Sequence, residues 1–404
     1  MSFSITQFST KSTNVIIYSL ISIILAILAI FVFIVILALT GNPIVLTGLL
    51  QNILIVFFTN PTAFANIFYS AIPLIFTGLA VAVAFQAGLF NIGGQGQMVL
   101  GGVYTAAWAT VIINNIYNST QFNFLLTPIF LIPTCLLVGA ICGGFWGFIP
   151  GVLKAKTGAH EVITTIMMNQ IAASLVRYLV GSVSYSPYIS KDALAYGQSD
   201  PIAKGARFPP IFPKISDFLN WGILVALFII VIVQFIIYKT NFGYKLRAVG
   251  HNPEAAEAVG INSERMVIYA MTLSGAIAGI GGSVYLMGTF PYRYFLDYEG
   301  TLGFDGIAVS LIGLNSPIGI ALAAIFFGYL NQTRAQLDKT AIPPDMVFVF
   351  QAWVIIFAVA PVLSKMIYER MKRLARENLQ GRSDENDSSE KEQPMISEEG
   401  GMEK

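Results

Sequence analysis

Residues 15–39, VIIYSLISIILAILAIFVFIVILAL, run without a single charged side chain. A stretch of about 20 apolar residues crosses the hydrocarbon core of a bilayer. This stretch is longer than a signal-peptide core, and no clear small-x-small cleavage site follows it, so it reads as a retained first helix. Further apolar runs predict crossings at 63–86, 90–113, 125–150, 162–181, 219–238, 266–288, 303–314, 317–333 and 346–364. The run 303–314 is too short to span and reads as half of a broken helix, so the count lies between eight and ten. Charged residues make up 11% of the chain and mean hydropathy is +0.69, against roughly 25% charged in a soluble domain. The expectation is an all-α polytopic membrane protein, with no nucleic-acid partner implied by a net charge of +1.

Lys and Arg in short loops set orientation. Lys154 and Lys156, then Lys239, Lys245, Arg247 and Arg265, then Lys365, Arg370, Lys372, Arg373 and Arg376 fall on one side of a ten-helix count, with Lys11. On the other side, the basic residues of the long loop 182–218 are offset by Asp192, Asp200 and Asp217. Both termini are therefore predicted cytoplasmic. The organisation reads as a cytoplasmic segment 1–14, a transmembrane domain 15–364 and a tail 365–404, basic at first and then acidic. The acidic part cannot bury enough apolar surface to offset its ordering entropy and is predicted disordered.

Within the apolar domain, residues 88–102 read GLFNIGGQGQMVLGG. Non-helical backbone at membrane depth is tolerated only where protein or a watery cavity satisfies its polar groups. Two readings stand: a broken helix lining a polar pathway through Asn91, Gln95 and Gln97, or a helix contact glued by amides. Residues 289–314, TFPYRYFLDYEGTLGFDGIAVSLIGL, form a second glycine-bearing break. Together they fit a five-plus-five inverted repeat with broken or half helices near mid-membrane, as many transporters use to build a central site. Other polar residues in or near crossings are Asn169, Gln170, Arg177, Gln234, Asp305 and Gln351. Intramembrane ionisable groups are functional candidates by default, although Arg177 and Asp305 lie near predicted helix ends where snorkelling accounts for them equally well. They form no acidic relay of the kind a proton-driven pump needs.

The most polar internal stretch is 241–265, NFGYKLRAVGHNPEAAEAVGINSER. Asn252 is a preferred N-cap and Pro253 suits the first helical position. Glu254 and Glu257 favour the positive end of a helix, and Gly260 is placed to stop it. The prediction is a two-turn helix, PEAAEAVG, whose Ala255, Ala256, Ala258 and Val259 form a small apolar surface for docking. Lying on the bilayer is the alternative, which acidic residues suit poorly.

Gly139, Gly143, Gly147 and Gly151 recur four apart and read as a packing face, with Gly275 and Gly279 repeating the pattern. Cys135 and Cys142 share one apolar segment and suit neither a disulfide framework nor zinc; two histidines make a multi-His metal site improbable. The chain has no G-x-x-x-x-G-K-[ST] phosphate loop, no H-E-x-x-H and no G-x-S-x-G.

GLFNIGGQGQMVLGG, LKAKTGAHEVITTIMMNQIA (153–172) and FGYKLRAVGHNPEAAEAVGI (242–261), in this order, resemble the permeases of bacterial ABC importers of the ribose/branched-chain amino acid class. The nucleoside-type, simple-sugar-like branch is the most similar, and the likeness covers about residues 60–364. It implies a permease of the bacterial plasma membrane, paired with a second homologous permease, driven by cytoplasmic ABC ATPases and fed by an external substrate-binding lipoprotein. It implies no enzyme activity, metal or cofactor in this chain, ATP being used by the partner. The family's ATPase-contacting loop falls on Arg247, Ala248, Val249, Gly250, Asn252, Ala255, Ala256, Gly260 and Ile261. His251 and Glu254 lie outside that matched pattern. In 153–172 the family-like residues are Glu161, Val162, Thr165, Met168 and Asn169.

On this reading, Arg247, Gly250, Asn252, Pro253, Glu254, Ala255, Ala256 and Gly260 couple the chain to the ATPase. Asn91, Gln95, Gln97, Asn169 and Asp305 border the pathway. Alternating access would move a polar uncharged solute, a nucleoside or a simple sugar. The competing classes are an ion-coupled secondary transporter and a polytopic membrane enzyme; the second would need a nucleophile or metal cluster.

Overall fold

A computed structural model describes residues 24, 28, 60–116, 127–181, 197–213, 216–296, 300–337, 347–349, 351–352 and 356; the side chains of 111–116, 181, 217 and 335–337 are not among them. Nearly all of the predicted first and last spans, the segment 1–14, residues 182–196 and the tail 365–404 lie outside this set. In chain order the helices are α1 Pro61–Gln86, α2 Gly94–Ile116, α3 Pro128–Thr157, α4 Glu161–Gly181, α5 Gly222–Lys239, α6 Asn241–His251, α7 Pro253–Ala258, α8 Ser263–Gly288, α9 Leu302–Ile312 and α10 Pro317–Leu337. Among the described residues, α1, α3, α4, α5 and α8 are long and apolar enough to cross a membrane.

Local chemistry sets several boundaries. Asn60 caps α1, its side chain accepting from the N–H groups of Thr62 and Ala63, with Pro61 at the first helical position. Pro128 likewise opens α3, and Lys154 and Lys156 in its last turn complement the negative helix end. Asn262 caps α8 through the Arg265 N–H. Two features differ from the sequence expectation. The first is α6: residues 241–251 are helical, started by the Thr240 side chain accepting from the Gly243 N–H. The second is a β-hairpin at the end of the loop expected over 182–218, which runs on through the first two residues of the span expected over 219–238. Pro210–Phe212 and Ser216–Asn220 pair antiparallel, so the fold is not purely helical. Pro209, Pro210 and Pro213 disfavour a helix there, and Asn220 anchors the hairpin by donating to the Gly288 carbonyl and accepting from the Gly222 N–H.

The middle of the molecule is α1, whose apolar window is 83% buried, followed by α8 at 61%. α8 packs on α1, α2 and α3, and α10 lies along α1. Phe76, Leu79, Leu100, Leu131, Val309 and Phe327 meet in the main core. A second core, at the end where α1 finishes, joins Ala84, Ala87 and Leu89 to Leu246 and Val249 of α6, Ala256 of α7 and Met266 and Met271 of α8. The polar helices α6 and α7 are thus seated on the bundle.

The broken helix and the surface helix

Between α1 and α2 the chain is non-helical from Ala87 to Gly93, so α2 starts at Gly94, four residues later than the apolar run suggests. Gly88 turns the chain with φ 72°, in the left-handed region. None of the amides expected to face a pathway is exposed: Gln95 is half-buried, and Asn91, Gln97 and Asn169 are buried. Asn91 and Gln97 are buried and bonded to each other, Asn91 Nδ2 donating to Gln97 Oε1 at 2.9 Å and to Ser274 Oγ at 2.7 Å. Asn91 Oδ1 accepts from the Gly93 N–H at 2.8 Å, and Ser274 donates in turn to the Ala80 carbonyl at 2.6 Å. Asn169 closes the other side: its Nδ2 donates to the Ile92 carbonyl at 2.9 Å and its Oδ1 accepts from the Gly96 N–H at 2.8 Å. These side chains supply to the broken backbone the bonds that a helix would have supplied.

Ser274 is the twelfth of the 26 residues of α8 and Asn169 the ninth of the 21 of α4, which places the far end of the break, residues 91–96, at mid-depth, while its start at Ala87 and Gly88 lies at the α6–α7 end. There the second break meets it. Gln95 Nε2 donates to the Gly300 carbonyl at 2.8 Å, and Gln95 Oε1 accepts from the Gly303 N–H at 2.6 Å. Gly303 is packed on the Gln95 backbone with no room for a Cβ, and Gly306 is packed equally closely on Thr77. α9 then runs to the end of α1, where Gln86 Nε2 donates to the Asn315 carbonyl. α2 runs the other way, its Thr105 reaching Ser283 near the far end of α8. The first turns of α2 and α9 therefore touch at mid-depth and their helices diverge in opposite directions. Asp305 sits in the first turn of α9, half-buried, accepting from Thr301 Oγ1 at 3.3 Å.

Gly139, Gly143, Gly147 and Gly151 all face α8, against Ser283, Gly279, Gly275 and Met271. At Gly143 and Gly147 a Cβ would strike helix backbone. α3 and α8 thus touch main chain to main chain, the close approach that small residues permit.

At the α6–α7 end, Asn252 caps α7 through the Ala255 N–H at 3.1 Å, with Pro253 and Glu254 in the first turn. Gly260, at φ 82°, follows the helix and reverses the chain. The expected apolar surface needs one correction: Ala256 is only 3% exposed and packs inward, because the helix period turns it toward Leu246 and Met266. The outer face is Glu254, Ala255, Glu257, Ala258 and Val259, the last 74% exposed. Arg247 also turns inward, its guanidinium 5.3 Å from the Tyr238 ring centre and its Nε donating to the Gly243 carbonyl. Gly250 touches the backbone of Gln86, Ala87 and Gly88, so α6 rests directly on the start of the break. Sequence reasoning missed Ser274 and this Gly250–Gly88 contact, since both depend on partners far away along the chain.

Residues 63–359 match the model of the family described as branched-chain amino acid transport system / permease component. The guanosine ABC transporter permease protein NupP of Bacillus subtilis (strain 168) is 36% identical over 305 residues, 74% of this chain and 82% of the relative. The nucleoside ABC transporter permease protein NupB of Lactococcus lactis subsp. cremoris (strain MG1363) is 34% identical, covering 75% and 80%. The guanosine ABC transporter permease protein NupQ of Bacillus subtilis (strain 168) is 28% identical, covering 66% and 79%. No solved structure matches the chain. These likenesses support a permease and give no support to an ion-coupled secondary transporter. The chain belongs to the branched-chain amino acid transport system permease family, and it is a multi-pass membrane permease subunit of an ABC transporter.

Proposed function

We propose that this permease carries nucleosides into a bacterial cell, in a complex with a second, homologous permease, a cytoplasmic ATPase and an external substrate-binding lipoprotein. The substrate class follows the relatives named for guanosine and nucleosides, and the paired arrangement follows two guanosine permeases of one organism, both similar to this chain. The ATPase is the partner that uses ATP; this chain holds no cofactor and performs no catalysis. Both termini and the α6–α7 end are cytoplasmic, as the basic residues Lys154, Lys156, Lys239 and Lys245 at that end favour. The crossings number about ten, and the opposed directions of α2 and the short α9 from their shared junction support a five-plus-five inverted repeat.

The observation that carries the coupling role is the outer face of α7. A helix with a side-chain cap, a glycine stop and an inward alanine anchor still presents Ala255, Ala258 and Val259 to solvent, ringed by Glu254 and Glu257. Exposed apolar groups rimmed by charge mark a protein contact. The ATPase closes on ATP, carries α7 with it and rocks the permease pair between its two openings. Val259→Asp tests this, because Val259 is 74% exposed and belongs to neither core. The ATPase should no longer co-purify, and uptake of radiolabelled guanosine should fall at least tenfold while the permease remains folded. Retention of both activities would sink the docking role. Competition by unlabelled ribose or glucose in the same uptake assay separates a nucleoside carrier from a sugar carrier.

A further inference from the structure

The three outer spans α3, α4 and α5 are alike in burial, each with 28% of its apolar window inside the protein. Their outward faces are not alike. The outward residues of α3 through its membrane length are Ile129, Pro133, Leu137, Ile141, Phe145 and Phe148. Those of α5 are Leu224, Leu227, Phe228, Val231 and Phe235. Both are what lipid tails require. α4 instead presents Gln170, Ser174 and Arg177 alongside Ile163, Ile166, Met167, Ile171 and Tyr178, and its hydropathy is 1.2 against 2.1 for α3 and 2.5 for α5.

Depth decides which of these polar groups matters. Arg177 lies near one end of α4, where its long side chain reaches the interface. A serine hydroxyl in a helix is inexpensive because it can bond within its own turn. Gln170 has neither escape. It is the tenth of the 21 residues of α4, next to Asn169, which holds the mid-depth break. The two adjacent amides lie about 100° apart around the helix and meet different surroundings: Asn169 is buried and spends both ends on the backbone of residues 92 and 96, while Gln170 is exposed. A neutral amide directed into hydrocarbon at that depth would have no partner for its donors or acceptor.

We propose that Gln170 faces the aqueous translocation path between this chain and its paired permease, and that its amide contacts the polar solute in transit. The inference rests on the permease reading above and moves the solute-facing role from Asn169 to its neighbour. An amide can both donate to and accept from the hydroxyls of a ribose or the edge of a base. A single exposed amide holds such a solute weakly, which suits a passage rather than a storage site.

The test uses the assembled transporter in proteoliposomes, with Cys135→Ala and Cys142→Ala as background, and its guanosine uptake measured first. Gln170→Cys, Ile141→Cys and Val231→Cys are then exposed to a membrane-impermeant methanethiosulfonate reagent. All three positions are outward and lie near the middle of their helices. The cysteine at 170 should label at least tenfold faster than those at 141 and 231, and guanosine should slow it severalfold. Labelling as slow as at the two lipid-facing controls overturns the aqueous placement. Fast labelling that guanosine leaves unchanged, in a background that does transport guanosine, overturns the solute contact. An unsubstituted transporter without guanosine uptake overturns the nucleoside reading alone, since the labelling contrast between 170 and the controls still decides whether Gln170 meets water.

Discussion

Asn91 illustrates how one residue can look like a solute ligand in the sequence and act as a structural bracket in the fold. Its amide engages Gln97, Ser274 and the Gly93 N–H, all in the buried interior between α1, α2 and α8. Asn91→Leu would leave the Gln97 amide and the Gly93 N–H without these partners. Each unpaired buried group costs about 1–3 kcal/mol, and hydrogen bonds between membrane helices measure toward the low end. The expected loss is about 2–4 kcal/mol, read as a lowered unfolding midpoint in detergent. A loss of uptake in this variant therefore reports on folding. An unchanged midpoint would mean that the Asn91 bonds contribute nothing net. The polar, glycine-rich character of this stretch was legible in the sequence. Its closure was not, because Ser274 lies 183 positions away and Asn169 more than seventy, and no local pattern in a glycine-rich run announces such partners.

At the scale of elements, the α3–α8 seam was the most readable feature, since four glycines at a spacing of four define one helix face whatever the partner. The partner face is Gly275 and Gly279 of α8. Adjacent glycines give an internal control. A Cβ on Gly143 would come within 2.7 Å of the Gly279 Cα and 2.9 Å of its N, whereas one on Gly144 would meet nothing nearer than 3.4 Å. Gly143→Ala should destabilise by about 1–3 kcal/mol, the usual cost of overpacking. Gly144→Ala should be neutral or stabilising by up to about 1 kcal/mol, because alanine is the better helix former. Equal unfolding midpoints for the two variants would show that the helices can part without penalty. α7 was legible for a different reason: a cap, a proline and a stop glycine are local signals that need no tertiary knowledge. α6 was harder to read, as Gly243 and Gly250 weaken its helical pattern and its cap, Thr240, follows directly on a membrane span. Nor could the local signals say that Ala256 faces inward, which depends on the core that α6 and α8 build around it.

For the whole molecule, the question is how motion at α7 could reach the far end of the break at mid-depth. The second core supplies a continuous route of packed groups: Ala256 of α7 touches the cluster of Leu246 and Val249 on α6, and the same cluster includes Ala87 and Leu89 of the break. Gly250 brings the α6 backbone against Gln86, Ala87 and Gly88, and a few residues farther on the chain reaches Asn91 and the α2–α9 junction. Spatial continuity alone does not establish coupling; a variant that strains one contact while sparing the ends does. Gly250→Ala is that variant. Its Cβ would lie 2.9 Å from the Gly88 N and 3.0 Å from the Ala87 carbonyl carbon, and backbone cannot rotate aside as a side chain can. α6 must shift away from the break, while the outer face of α7 keeps Ala255, Ala258 and Val259 in place. The expected result is a transporter that still co-purifies with its ATPase and still hydrolyses ATP, with guanosine uptake lowered at least fivefold. That separation of hydrolysis from transport is what a damaged transmission contact produces, and it differs from Val259→Asp, where the ATPase itself is lost. Uptake and hydrolysis that stay in step in Gly250→Ala would show that force reaches the permease by another contact, such as the Lys156–Glu264 ion pair joining α3 to α8 at 2.7 Å.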